Sequence, residues 1–242
     1  MSRHNPKREL WLAWWTMVVF YQLFFLAFFV ITRTQPPPNP GSGTAEVVAW
    51  FQGRHDGLRI GFAIMFVITG MTSMCNAIIA YSMRRMSISP AFAYSYLVMY
   101  SLSAIPGMLL MCLALTVGAL RADRNPELLQ WLYDFAFLSF SGTMGVFLIG
   151  SLLWMAAILI DKNRVFPTWF GYLNLCNALT EVVVAPAWIF HRGVFAWNGL
   201  ICWWINMVVF IVYTGAFILL LRRMIQREDF GSGPLPELAG AR

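Results

Sequence analysis

Long apolar runs alternate with short polar or basic breaks along the whole chain. An α-helix needs about 20 mostly apolar residues to cross the hydrocarbon core of a bilayer, and six runs reach about that length. They predict helices over approximately residues 11–32, 58–83, 93–120, 130–160, 168–190 and 195–221. We therefore predict an all-α fold, a polytopic bundle of six transmembrane helices in a single domain over residues 1–226, with a disordered tail over 227–242.

Proline, glycine and capping residues predict where helices start, bend and stop. The proline-rich stretch over residues 35–43 cannot continue a helix, and Thr44 is expected to cap a short helix after it. The order Asn125-Pro126-Glu127 predicts a helix start with a cap, a proline at the first position and an acid in the first turn. Pro106, followed by a glycine, predicts a kink inside the third helix.

Composition and charge place these helices in a membrane. The chain is 59% hydrophobic and 12% charged, whereas soluble domains carry about 25% charged residues. Of its 17 Lys and Arg residues, eleven fall on the side of the two termini and six on the other side. This bias predicts a bacterial-type inner (plasma) membrane protein with both termini in the cytoplasm. The lipid bilayer is the expected partner, and nucleic acid is not, because the net charge of +6 is spread over these short breaks.

Metal and cofactor chemistry find no support in the sequence. The four cysteines all lie inside apolar runs, and none has a second cysteine or a histidine at ligand spacing. The sequence also contains no G-x-S-x-G motif and no glycine-rich phosphate loop. We therefore expect no cofactor.

The sharpest chemical feature is Glu181, which lies inside the fifth apolar run. A charge at the centre of a membrane helix costs about 2.5–3.5 kcal/mol, and no Lys or Arg lies at the same depth. We predict that Glu181 is protonated and hydrogen-bonded. The same spacing places Asn174 and Asn177 on its helix face, and Pro186 is expected to free the carbonyl group of Val182 beside them.

Polar residues on other predicted helices can meet this face. Candidates from the third and sixth helices include Tyr96, Tyr100 and Tyr213. Taken together, the candidate ligand-binding residues are Glu181, Asn177, Asn174, Asn76, Thr72 and Asn206.

Three interpretations of Glu181 stay open. It can act as polar glue between helices, or the polar stripe can line a site that binds or conducts a small hydrophobic or lipid-like molecule. Alternatively, Glu181 can be the acid of an intramembrane enzyme on a lipid-like substrate. The sequence favours a role other than catalysis, because Asp134 is expected near the outer surface, too far away to pair with Glu181. A structural subunit that contacts other membrane subunits is a further alternative.

A polar element over residues 52–56 lies at the outer mouth of the second helix. Its residues include Arg54, His55 and Asp56. Helix capping and contacts with lipid headgroups explain these side chains, and a surface base formed by His55 and Asp56 is the alternative.

Three features follow one another in the chain: a glycine-dotted fourth helix over residues 142–160, a basic turn over 162–164, and the entry of the fifth helix at Pro167 and Trp169. In these features the chain resembles bacterial six-helix integral membrane proteins of unknown function. The segment L-R-I-G-F at 58–62, after a long outer loop, is also similar. The resemblance implies a six-helix topology and implies no activity.

Overall fold

A computed structural model describes residues 6–121, 123, 125–141 and 144–227 of the chain. The described part is helical and contains no β-strand, which confirms the all-α fold. Its α-helices are α1 (Pro6–Phe25), α2 (Thr44–Gln52), α3 (His55–Thr69), α4 (Thr72–Arg84), α5 (Pro90–Ala104), α6 (Met111–Leu120), α7 (Pro126–Ser141), α8 (Met144–Ile160), α9 (Thr168–Val184) and α10 (Asn206–Arg227).

Five helical segments in the described residues are long and apolar enough to cross a membrane. They are Lys7–Ile31, His55–Arg84, Pro90–Leu120, Pro126–Ile160 and Leu200–Arg227. This is the architecture of an integral membrane protein. The predicted fifth span corresponds to α9, which has 17 residues and continues as a short 3₁₀-helix over Ala185–Trp188. Its crossing therefore stays a prediction.

The helices pack both against neighbours along the chain and against helices distant in sequence. α9 lies against α8 and α10, α5 lies against α4 and α8, and α1 lies against α4 and α10. Trp154 of α8 is fully buried at one of these junctions. Its ring contacts an aromatic set from four segments: Tyr96, Phe166, Phe170 and Phe217.

Several spans contain a locally irregular turn. Pro106 lies in a π-helical segment, Ile105–Leu110, so the helix is interrupted where the sequence predicted a kink. Two further π-helical segments are Leu26–Ile31 and Leu200–Ile205. The predicted helix over 58–83 is also tightened between α3 and α4, where Met71 N–H donates to the Ile68 carbonyl three residues back.

The tightened turn has a local cause that the apolar pattern did not reveal. The Thr69 hydroxyl donates to the Met65 carbonyl at 2.7 Å, and the Thr72 hydroxyl donates to the Thr69 carbonyl at 2.6 Å. Such hydroxyls satisfy carbonyl groups that a regular helix would use, and so they permit a change of helix geometry inside a span.

The loop before α2 is fastened to the bundle by side-chain hydrogen bonds, and we call this end of the bundle the α2 end. Trp197 Nε1 donates to the Pro38 carbonyl at 2.7 Å, and Trp203 Nε1 donates to Gln35 Oε1 at 2.6 Å. Phe51 of α2 is fully buried beside Gly118 of α6. The short helix therefore packs on the bundle.

Some predicted helix ends differ from the structure, and one predicted cap is confirmed. Gly43, not Thr44, is the N-cap of α2, because the Thr44 hydroxyl is bonded to the Gln130 side chain instead. The predicted cap of α7 is correct, since Glu127 N–H donates to Asn125 Oδ1 at 3.0 Å. Residues 189–199 form an irregular connection, so the last helical segment begins at Leu200 instead of 195 and α10 reaches Arg227. Residues 228–242 of the predicted disordered tail lie outside the described part.

Candidate functional site

Glu181 lies in the last turn of α9, three residues before the helix ends at Val184. Its side chain is partly buried. It makes no hydrogen bond or ion pair with any residue that the structure describes, so its predicted hydrogen bond stays a prediction.

Pro186 has a different effect from the predicted one. The carbonyl group of Val182 is not free, because it accepts the N–H of Ala185. The chain tightens from an α-helix to a 3₁₀-helix at this point, and the i to i+3 bond replaces the one that Pro186 cannot make. The backbone beside Glu181 is therefore satisfied, and the side chain is the unpaired group.

Asn177 starts a hydrogen-bonded chain that joins three helices. It is buried, and its Nδ2 donates to Ser151 Oγ of α8 at 3.0 Å. Ser151 is fully buried and shares a 3.4 Å hydrogen bond with the Tyr100 hydroxyl of α5. We call Glu181, Asn177, Asn174, Ser151 and Tyr100 the polar cluster.

The three bonded residues lie at one depth in the bundle. Asn177 is nine residues after the start of α9, Ser151 is nine before the end of α8, and Tyr100 is ten after the start of α5. At the α-helical rise, each lies about 14 Å from the end of the bundle opposite the α2 end. A hydrocarbon core is about 30 Å thick, so this distance equals about half of its thickness. Glu181 lies about one turn further towards the α2 end.

Tyr100 is held by tight packing. Its ring stacks on Tyr96 at a centroid distance of 4.3 Å, and a side chain at Gly150 would collide with it. Tyr213 of α10 and Glu181 both lie within electrostatic range of its hydroxyl. The tyrosine therefore brings the polar group of α5 to the same region as α9 and α10.

Two buried polar atoms near this region have no hydrogen-bond partner among the described residues. One is Oδ1 of Asn174, whose Nδ2 donates to the Phe170 carbonyl at 2.8 Å. The other is Nε1 of Trp154. Buried polar atoms are nearly always hydrogen-bonded to protein or to ordered water. The unpaired acceptor Asn174 Oδ1, one helical turn from Asn177, therefore requires an explanation.

The remaining predicted site residues are not hydrogen-bonded to this cluster within the described residues. The Thr72 hydroxyl is used by the Thr69 carbonyl. Asn76 is buried in α4, which packs mainly against α1 and α5, and Asn206 is the partly buried first residue of α10. Their part in a site stays a prediction.

From the sequence we predicted Tyr100 and Tyr213 as neighbours of the polar face of α9, but not Ser151. A lone hydroxyl beside a glycine in a strongly apolar helix was the available signal.

Two cavities open at the α2 end. One has a volume of about 230 Å³ and contains Arg33 and Arg54 in its lining. The other, about 430 Å³, lies beside Trp50 and Tyr133 and shares Arg54. Neither cavity is lined by the polar cluster.

Comparisons of the chain with protein-family models, with curated proteins and with solved structures found no match. Fold and site define a helical protein with membrane-spanning architecture and a polar cluster inside its apolar core.

Proposed function

We propose that the chain is a multi-pass protein of a bacterial-type inner membrane, with six spans and both termini in the cytoplasm. We further propose that the polar cluster binds or conducts a small, hydrophobic molecule with a polar end. The resemblance to bacterial six-helix membrane proteins supports the topology and says nothing about the molecule.

The observation that carries the proposal is that Glu181 has no hydrogen bond in the described part of the chain. An acid that served as polar glue between helices would be bonded to one of them. Here Asn177, Ser151 and Tyr100 already satisfy one another. The carboxyl group and Oδ1 of Asn174 are left for a molecule that brings its own donor and acceptor.

The same geometry favours binding over catalysis. General acid–base chemistry needs its partner groups within hydrogen-bond reach of the reacting atoms. Tyr100 is the titratable neighbour, and its hydroxyl is bonded to Ser151 instead of Glu181. A protonated Glu181 can donate one hydrogen bond to a ligand, while the apolar walls accommodate the rest of the molecule.

Native mass spectrometry of the detergent-purified protein tests the site. We expect a defined small molecule to be retained by the wild type and lost from Glu181→Gln. Cys176→Ala is the matched control, because Cys176 lies on the exposed face of the same helix. A molecule that stays bound to Glu181→Gln, or a wild type that retains none, would contradict the proposal.

The topology has an independent test. A green fluorescent protein fused after Arg242 folds and fluoresces in the cytoplasm, whereas an alkaline phosphatase fused there is active outside it. We expect fluorescence and no phosphatase activity. The opposite result would overturn the assignment of the termini without affecting the polar cluster.

A further inference from the structure

A basic cleft lies at the α2 end, away from the polar cluster. Its volume is about 230 Å³, and it is lined by Ile31, Arg33, Gln52, Gly53, Arg54, His55, Asp56 and Gly57. We call it the arginine cleft. Arg33 follows the end of the first apolar span, and Arg54 precedes the start of the second.

The backbone brings these two loops together. Gly57 in the first turn of α3 lies so close to the Ile31 carbonyl that any side chain there would collide with it. Two residues further along the first loop, Arg33 has a φ of 52°, a left-handed conformation that is uncommon for a residue other than glycine. This turn sets Arg33 beside the start of α3.

The two arginines have acids nearby, Asp56 in the lining of the cleft and Glu46 in the neighbouring cavity beside Arg54, but form no ion pair with either. Neither makes a hydrogen bond or an ion pair with any described residue, and Nε of Arg54 is buried without a partner. Burial lowers the pKa of Arg54, and the positive charge of Arg33 lowers it further. The Arg54 guanidinium also lies over the Trp50 ring, 5.2 Å from its centroid, which restricts its position. Two cations held together in this way attract an anion.

The start of α3 adds further donors to the same cleft. The first hydrogen bond into α3 runs from Leu58 N–H to the Arg54 carbonyl, and the N–H groups of residues 55–57 have no backbone partner among the described residues. The acid of the lining is Asp56, whose Oδ1 is 2.8 Å from His55 Nδ1 and whose side chain is 72% exposed. It neutralises one of the two arginine charges at most, and the cleft stays positive.

We propose that the arginine cleft binds a phosphate-bearing anion. Guanidinium groups bind phosphate oxygens through paired hydrogen bonds, and backbone N–H groups at a helix start accept the same kind of ligand. The cleft lies between the end of one span and the start of the next, at the level of lipid headgroups. The phosphate can therefore belong to an anionic lipid or to a small soluble molecule.

Two binding measurements on the full-length protein distinguish these sources. Calorimetry in a neutral maltoside detergent titrates inorganic phosphate, and native mass spectrometry compares phosphatidylglycerol with a diacylglycerol of the same acyl chains. Binding of inorganic phosphate indicates a soluble anion. Binding of phosphatidylglycerol, with none of inorganic phosphate or diacylglycerol, indicates a lipid headgroup.

Substitutions locate the site. We expect Arg33→Gln and Arg54→Gln each to weaken binding at least about tenfold, because each removes a charge-assisted pair of hydrogen bonds. Arg54→Lys keeps the charge and should lose part of the affinity, since Lys cannot bind in the paired geometry. Arg59→Gln is the matched control, because Arg59 is an exposed arginine of α3 outside the cleft. Its effect should stay within about twofold, as expected for a screened surface charge.

Two outcomes would overturn the proposal. One is a wild type that does not bind inorganic phosphate and does not bind phosphatidylglycerol more tightly than diacylglycerol. The other is an equal loss in Arg59→Gln, which would show a diffuse charge effect instead of a site. Because Arg33 is exposed, its variant keeps the test valid even if Arg54→Gln unfolds. Neither outcome bears on the Glu181 proposal.

Discussion

Asp161 fastens two loops at the end of the bundle opposite the α2 end, and its removal should be strongly destabilising. It is buried, with 7% of its surface exposed. Its Oδ1 accepts the N–H of Ser87 at 2.8 Å, the Ser87 hydroxyl at 3.1 Å and the N–H of Asn163 at 2.9 Å. Its Oδ2 accepts the N–H of Val165 at 2.9 Å. One side chain thus joins the α4–α5 loop to the α8–α9 loop.

The magnitude follows from these four bonds. A hydrogen bond to a charged group contributes about 1.5–3 kcal/mol, but contributions within one network are not additive, and some freed donors will be rehydrated. Asp161 also follows the C-terminus of α8, where the helix dipole opposes a negative charge by about 0.3–1 kcal/mol. The hydrogen bonds outweigh the dipole. We expect Asp161→Ala to lower the free energy of unfolding by about 3–5 kcal/mol, and Asp161→Asn by about 1–2 kcal/mol, because the amide keeps one acceptor.

Thermal unfolding in detergent, followed by circular dichroism, measures the effect. For a chain of this size, 3–5 kcal/mol corresponds to a fall in Tm of about 10 °C. Glu127→Gln is the control, since Glu127 is an exposed acid at a helix start. An Asp161→Ala variant that melts within about 1 °C of the wild type would refute the reasoning that these bonds hold the two loops together.

Three further changes test the packing. Gly118→Ala should destabilise the protein by about 1–3 kcal/mol, because the new methyl group meets a buried ring of α2 at 2.5 Å; differential scanning fluorimetry measures this. Trp203→Phe removes the indole N–H that donates to Gln35 at 2.6 Å, so limited proteolysis should cleave the proline-rich loop faster than in the wild type. A double-mutant cycle of Ser151→Ala and Asn177→Ala, measured by chemical unfolding, should give a coupling energy of about 0.6–2 kcal/mol, and additive effects would contradict the hydrogen bond between them.

The all-helical fold was predictable because membrane spans depend on a coarse property of the sequence. A run of apolar residues either reaches the thickness of the bilayer or does not, whatever its neighbours are. Signals that act within a few residues were equally readable, as the cap at Asn125 and the interruption at Pro106 show. Each of these features is determined by residues adjacent in sequence.

Features that depend on a distant partner were missed. Thr44 lost its predicted capping role because Gln130, from another helix, binds its hydroxyl. The sequence pattern gave no role to Asp161, whose partner Ser87 is 74 residues away. Spacing within one helix cannot reveal such pairs.

The contact between Asn177 and Ser151 in the polar cluster could have been predicted from the same sequence by counting residues from the helix ends. The stripe on α9 was visible from spacing, but its partner on α8 was not, because Ser151 belongs to no stripe. The prediction did not use the depth of each residue along its helix. Helices that start or end at the same membrane surface place residues at equal counts from that surface at equal depth. Asn177 and Ser151 are each nine residues from the ends of α9 and α8 that face each other across one short loop, so they meet. Glu181 is four residues after Asn177, so it lies about one helical turn away from the depth of Ser151. The distance between Glu181 and Ser151 thus follows from the register of the two helices.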